Sequence, residues 1–178
     1  MSAKRAAIRR EHKAREKANR KASDTDRRAI QGRDDGRELA FFTTINVLHE
    51  QFHFGKKRIS ELMRMCREES ARYDNEGVQF TLQYYADKID KKIAEIPLSD
   101  VDSKDIIYVF NRNTAFVTSL SIICVVLNES FGMASNQKNT GRLDEVMERV
   151  CMEYIKVLIG RETIGKQKQK AVEVIEID

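Results

Sequence analysis

A single proline, Pro97, stands in 178 residues. Proline lacks the backbone amide and its ring strikes the preceding turn, so it breaks a helix interior. A chain almost free of it favours long helices over strands and turns. Apolar spacing agrees. Phe41, Ile45, Leu48 and Phe52 recur at +4, +3 and +4 and predict a helix over about 37–53, with Phe42, Asn46, His49 and His53 as a flanking stripe. Ile59, Leu62, Met63, Cys66, Ser70 and Tyr73 predict a second helix over about 57–73, so close behind the first that the two form an antiparallel hairpin. Gly55 is read as the glycine that ends the first helix.

Val78, Leu82, Tyr85, Ile89, Ile93 and Ile96 predict a third helix over about 78–96, stopped by Pro97. A fourth spans about 105–131, with a potential break near Asn111-Arg112-Asn113. It is apolar nearly all round from Ala115 to Leu127, the pattern of a central, buried helix. Leu143, Val146, Met147, Val150, Tyr154 and Leu158 predict a fifth over 142–159, stopped by Gly160. The expected fold is all-α: a compact bundle of about five helices with a basic N-terminal arm, helical or disordered, over 1–23. Residues 24–36, rich in Asp and Gly without a period, read as a linker, 37–160 as the helical domain, and 161–178 as a disordered or extended tail.

The chain also repeats itself. An offset of 79 superposes Val47-Leu48-x-Glu50-x-Phe52 on Val126-Leu127-x-Glu129-x-Phe131, and an offset of 84 then aligns Arg58–Met63 with Arg142–Met147. Two related helical hairpins, about 37–73 and 105–159, follow from this, with their first helices inside. Glu50 with Arg58, and Glu129 with Arg142, are candidate ion pairs across the two turns.

Charge is uneven. Residues 1–21 carry nine cations, Lys4, Arg5, Arg9, Arg10, Lys13, Arg15, Lys17, Arg20 and Lys21, against Glu11 and Glu16. That segment is +7, and the whole chain's +4 leaves −3 for the remainder. Such an arm suits a polyanion or an acidic protein surface. It has no aromatic residue for base stacking, so contact with nucleic acid would be to the backbone and strongly salt-dependent. Lys56, Lys57 and Arg58 form a second basic cluster, though the turn fits a helix–turn–helix reader poorly because Lys56 stands where that motif is apolar. Cys66, Cys124 and Cys151 are odd in number, widely spaced and set in apolar helical patterns, which predicts buried thiols in a reducing compartment. The longest charge-free run, Asn113–Asn128, falls short of the roughly 20 apolar residues of a membrane span. With no apolar segment behind the basic N-terminus, a cytoplasmic location without membrane contact is expected.

One motif competes. His49-Glu50-x-x-His53 has the spacing of a zinc hydrolase, with His49 and His53 as ligands and Glu50 as base. Against it, Gly55 ends the helix at once, and the second copy of the repeat has Asn128 and Gly132 at the histidine positions. What the repeat keeps is the hairpin, not the ligands.

The segment Leu48-His49-Glu50-Gln51-Phe52-His53-Phe54-Gly55-Lys56-Lys57-Arg58 resembles a signature of small phage and prophage proteins of Gram-positive bacteria, roughly Leu-His-(Asp/Glu)-x-Phe-Gly-Phe-Gly-Lys-Lys-Arg. The resemblance covers about eleven residues, has glycine where this chain has His53, and implies a mobile-element origin but no catalytic residue. The leading expectation is therefore a non-enzymatic accessory or regulatory protein of phage type, without a cofactor, that binds through its basic arm and forms a homo-oligomer. A structural subunit of a larger particle is the second, and a zinc hydrolase the third.

Overall fold

The computed structural model describes residues 3–76, 80–94, 106–133 and 142–176, with side chains from residue 23 onward except 73–81. Six helices make up these residues: α1 (Ala3–Phe52), α2 (Lys56–Glu76), α3 (Phe80–Ala94), α4 (Ile106–Phe131), α5 (Arg142–Leu158) and α6 (Ile164–Glu176). The expected start of the third helix at residue 78, its end at Pro97 and the loop at 134–141 lie outside the described residues.

α4 is the axis of the bundle. It packs against α1, α2, α3 and α5, and Phe116, Leu120, Ile123, Cys124 and Leu127 are wholly buried. Its apolar circumference explains why: no face of it can be left to water without loss of about 25 cal/mol per Å². It is unbroken, and the Asn111 side chain folds back along it, its Nδ2 donating to the Ile107 carbonyl at 2.8 Å. By length and composition α4 is also the one helix among the described residues able to cross a bilayer, and 67% of that apolar window is buried within the bundle.

The structure corrects the boundary drawn at residue 36. Residues 24–36 are no linker, because α1 runs through them without interruption. Gly32 and Gly36 are the closest points of α1 to α4. A Cβ on Gly32 would overlap the Tyr108 carbonyl oxygen, and one on Gly36 the Arg112 carbonyl oxygen. Glycine in a helix costs roughly 1 kcal/mol against alanine, but a pair four residues apart removes two side chains from one face and lets backbones touch. Gly32 lies beside Tyr108–Arg112 and Gly36 beside Arg112–Ala115, so α1 and α4 run parallel. Among the described residues of α1 from Ser23 onward, none up to Gln31 is buried, and Gly32 is the first that is.

Polar groups cross this interface too. Tyr108 donates its hydroxyl to Asp35 at 2.5 Å, while Arg112, 8% exposed, stacks its guanidinium 5.1 Å from the Tyr108 ring. On the α5 side, Tyr154 donates to the Asn113 side-chain oxygen and stacks on Phe116 with centroids 3.7 Å apart. Burial holds the Tyr154 hydroxyl well above its ordinary range.

The tail is corrected as well. Residues 164–176 form α6, which starts with the Lys166 amide bonded to Thr163 Oγ1 at 3.2 Å. It packs on the flanking stripe of α1. Asn46 Nδ2 donates to both oxygens of the buried Gln167, at 2.7 and 3.1 Å, and Gln167 Nε2 donates to Glu153 at 3.2 Å. Lys168 reaches Glu38 at 3.6 Å and lies over the Phe42 ring. These bonds fix α6 in register, while Asn46 Oδ1 is buried without a partner among the described residues.

All three cysteines are free and buried. Burial pushes the Cys66 and Cys151 thiols up to about 12 and Cys124 well above its ordinary value. Unfolded thiols titrate near pH 8.5. Below that, both states hold the proton and stability is unaffected. Above it, the unfolded chain releases protons that the native state keeps, so stability falls with rising pH until the folded thiols titrate. The urea midpoint is expected to be level up to about pH 8 and to decline beyond about pH 8.5. Native thiols should resist a disulfide reagent until denaturant is added, and ready labelling of the native protein would contradict this burial.

Candidate binding surface

The repeated hairpin turn contains the histidines and the second basic cluster. α1 ends at Phe52, and His53 turns left-handed with φ 55°. α4 ends at Phe131, and Gly132 turns left-handed with φ 60°. In each copy the next residue folds back: the Phe54 amide donates to the Leu48 carbonyl at 3.0 Å, and the Met133 amide to Leu127 at 3.1 Å. Both residues bury their side chains, and the Phe54 and Phe131 rings meet at 5.6 Å. The offset of 79 thus extends through these turns. Gly55 is not the left-handed residue expected from sequence. Its carbonyl accepts the first bonds of α2, from the amides of Arg58 and Ile59.

His53 therefore occupies a glycine position. Its positive φ turns its Cβ off the helical face of His49, and the shared face is what zinc binding by i, i+4 histidines requires. His49 Nδ1 lies 3.1 Å from the Phe54 carbonyl, which fixes Nδ1 as the protonated nitrogen and uses it to close the turn. Glu50 is exposed beside it. Among the described residues no group of three or more His, Cys, Asp or Glu is placed to hold a metal ion.

A left-handed non-glycine residue costs roughly 1–2 kcal/mol. His53→Gly is expected to raise stability by about 0.5–1 kcal/mol, after the greater entropy of the unfolded glycine is deducted. A thermal melt in which His53→Gly is no more stable than the parent would exclude strain at this turn.

No protein-family model, curated protein or solved structure matches this chain. Its surface is therefore read from its own residues.

Lys56, Lys57 and Arg58 are exposed in the first turn of α2. Cations there oppose the helix dipole, and no acid offsets them in that turn. Arg58 places its guanidinium 4.3 Å from the Phe54 ring centroid. Among the described residues no ion pair joins Glu50 to Arg58 or Glu129 to Arg142, so the hairpin angle rests on the Phe54 and Met133 anchors, not on the charge pairs anticipated from the repeat.

The arm's cations, Lys4, Arg5, Arg9, Arg10, Lys13, Arg15, Lys17, Arg20 and Lys21, lie on the helical backbone of α1, and their side chains are outside the described residues. The structure separates them from the second cluster. Between Lys21 and Phe52 the helix rises roughly 45 Å, at about 1.5 Å per residue. The candidate basic residues therefore occupy two ends of one rod.

Sequence reasoning passed over two further cations. Arg33 and Arg37 are exposed on α1 between those ends, and both line a groove against α4. The signal was present: Arg33, Arg37 and Phe41 stand four apart and extend the Phe41–Ile45 face backwards. Reading 24–36 as a linker hid it.

Proposed function

We propose that this protein is a non-enzymatic binding protein that grips a polyanion, most simply the backbone of a nucleic acid, through its basic N-terminal arm. The carrying observation is the continuity of α1. The +7 segment lies on the same 50-residue helix whose later turns form the core, so its backbone is continuous with the bundle. A helix so anchored avoids the nucleation penalty that an isolated basic peptide would face. A phage-type accessory role in the host cytoplasm, and action as a homo-oligomer, complete this reading.

The test is a salt titration of nucleic-acid affinity. Each phosphate neutralised on duplex DNA contributes about 0.9 to the slope of log K against log salt. Replacing Arg9, Lys13, Lys17 and Lys21 with glutamine in the full chain is expected to lower that slope by up to about 3.6 and to weaken binding at low salt more than tenfold. Removing residues 1–23 should go further. An unchanged affinity and slope in both proteins would end the proposal.

One observation favours assembly as a second reading. Ile106 and Phe110, one turn apart at the start of α4, are 74% and 67% exposed, and Ile30 on α1 is half exposed. Large apolar side chains left bare together suit a contact with another subunit. Sedimentation that remains monomeric at high concentration, for the parent and for Phe110→Ser alike, would remove this reading.

A further inference from the structure

A groove of about 530 Å³ lies between the middle of α1, the start of α4 and the facing edges of α2 and α3. Its size is that of a small-ligand site. The space follows from the residues that border it. Ser70, Thr114, Ala115 and Thr118 are small, and the close approach at Gly36 brings α1 and α4 together beneath them. The floor is apolar, made by Phe41, Leu82 and Ile122. Along one wall Arg33 and Arg37 stand one turn apart, and no carboxylate lines the groove among the described residues. Among the described residues the acid within 4.0 Å of either is Asp34, which meets Arg37 at 3.9 Å with both side chains well exposed. A pair that distant and wet contributes little, so the guanidinium is available. From α4 come Asn111, Thr114 and Thr118, where Asn111 Nδ2 donates to the Ile107 carbonyl at 2.8 Å and the Thr118 hydroxyl to the Thr114 carbonyl at 2.9 Å.

We propose that this groove binds a phosphate monoester with a flat, polar-edged body, of which nucleoside 5′-monophosphates are the simplest members. Two guanidiniums four residues apart on a helix suit a group with three anionic oxygens better than a single carboxylate. Phe41 and Leu82 provide a surface for a ring. Asn111, Thr114 and Thr118 keep oxygen acceptors beyond the bonds that the Asn111 amide and the Thr118 hydroxyl donate within α4, so a ligand with donors along its edge suits this side better than an acyl chain. The site is distinct from the arm, and the nucleotide it takes is either free or an unpaired residue of a strand.

The test is calorimetry on the full-length protein with adenosine, guanosine, cytidine and uridine 5′-monophosphates, with adenosine and inorganic phosphate as probes of the two halves. At least one monophosphate should bind, with either half alone at least tenfold weaker. Arg33→Gln and Arg37→Gln should each weaken binding about tenfold, the value of one hydrogen bond to a charged group. Thr118→Leu, a change at an exposed helical position that fills the groove, should abolish it. The arm variant with four glutamines should bind the monophosphate as the parent does, which separates this site from the proposed polyanion contact. If only a short single strand binds, and Thr118→Leu removes the part of its affinity that the arm variant keeps, the nucleotide belongs to a strand. The proposal is overturned if neither a monophosphate nor a strand shows Thr118-sensitive binding, if inorganic phosphate binds as well as the nucleotides, or if both arginine variants bind unchanged.

Discussion

Replacing Gly36 with leucine is expected to unfold the protein or leave it with only a few kcal/mol of stability. The Cβ would fall inside the Arg112 carbonyl oxygen and come within 3.0 Å of the Ala115 side chain. The first of these is backbone, so no rotamer change can relieve the overlap. α1 would have to move off α4, opening the buried seam of Leu39, Ala40, Phe116 and Leu120. Overpacking a core typically costs about 1–3 kcal/mol, and separating two central helices costs more, against a total stability of about 5–15 kcal/mol. Gly36→Ala tests the same contact more gently. Helix propensity returns roughly 1 kcal/mol, which leaves a net loss of up to about 2 kcal/mol. Gly165 is the control: on α6 its added Cβ would meet only Thr163 Oγ1, at 3.9 Å. Gly165→Ala should gain about 0.5 kcal/mol. Urea melts followed at the helix band would order the proteins Gly165→Ala, parent, Gly36→Ala, Gly36→Leu. A Gly36→Ala protein as stable as Gly165→Ala would mean that α1 and α4 do not touch there.

Phe116→Ala is expected to lose about 3–5 kcal/mol, the cost of emptying a wholly buried aromatic site. Phe116 joins α4 to α5 by stacking on Tyr154, itself fully buried. Tyr154→Phe retains the stack and removes the hydroxyl, with its bond to Asn113 and its contact with Arg112, so about 1 kcal/mol is expected from it. The contrast separates packing from hydrogen bonding at one position. A double-mutant cycle on Phe116→Leu and Tyr154→Leu should return a coupling of about 0.5–1.5 kcal/mol. Equal losses from Tyr154→Phe and Phe116→Ala would show that the hydroxyl, not the ring stack, holds α5.

Much of the bundle is legible in the chain because apolar period and burial are the same physical fact. Phe116 to Leu127 read as a buried central helix and is one, and the periods behind α2, α3 and α5 found their elements to within a few residues. The errors share a cause. Local preference marks Gly32 and Gly36 as breakers, because glycine does weaken a helix, but it is silent about what a glycine is close to. α6 was missed for a similar reason. Its buried face is Gln167 and Ala171, one polar and one small, and Gln167 belongs inside only because Asn46 and Glu153 are there to bond it. The repeat pointed to the hairpin turns, yet it assigned the left-handed position to Gly55. The alignment already paired His53 with Gly132, and only their matching φ values reveal what that pairing meant.

For the surface, sequence alone determined sign and location along the chain: a +7 segment, then a second cluster at Lys56–Arg58. Tertiary structure decided distance. It set the first cluster on α1 and the second at the start of α2, beyond the far end of α1, gave His53 a left-handed backbone, and brought Arg33 and Arg37 to one groove with Asn111, Thr114 and Thr118 from 70 residues and more downstream. Charge and hydrophobic period are properties of each residue and its near neighbours, so they can be counted along a chain. A groove belongs to the space between helices, and that space exists here because two glycines, unremarkable in sequence, let α1 and α4 meet backbone to backbone.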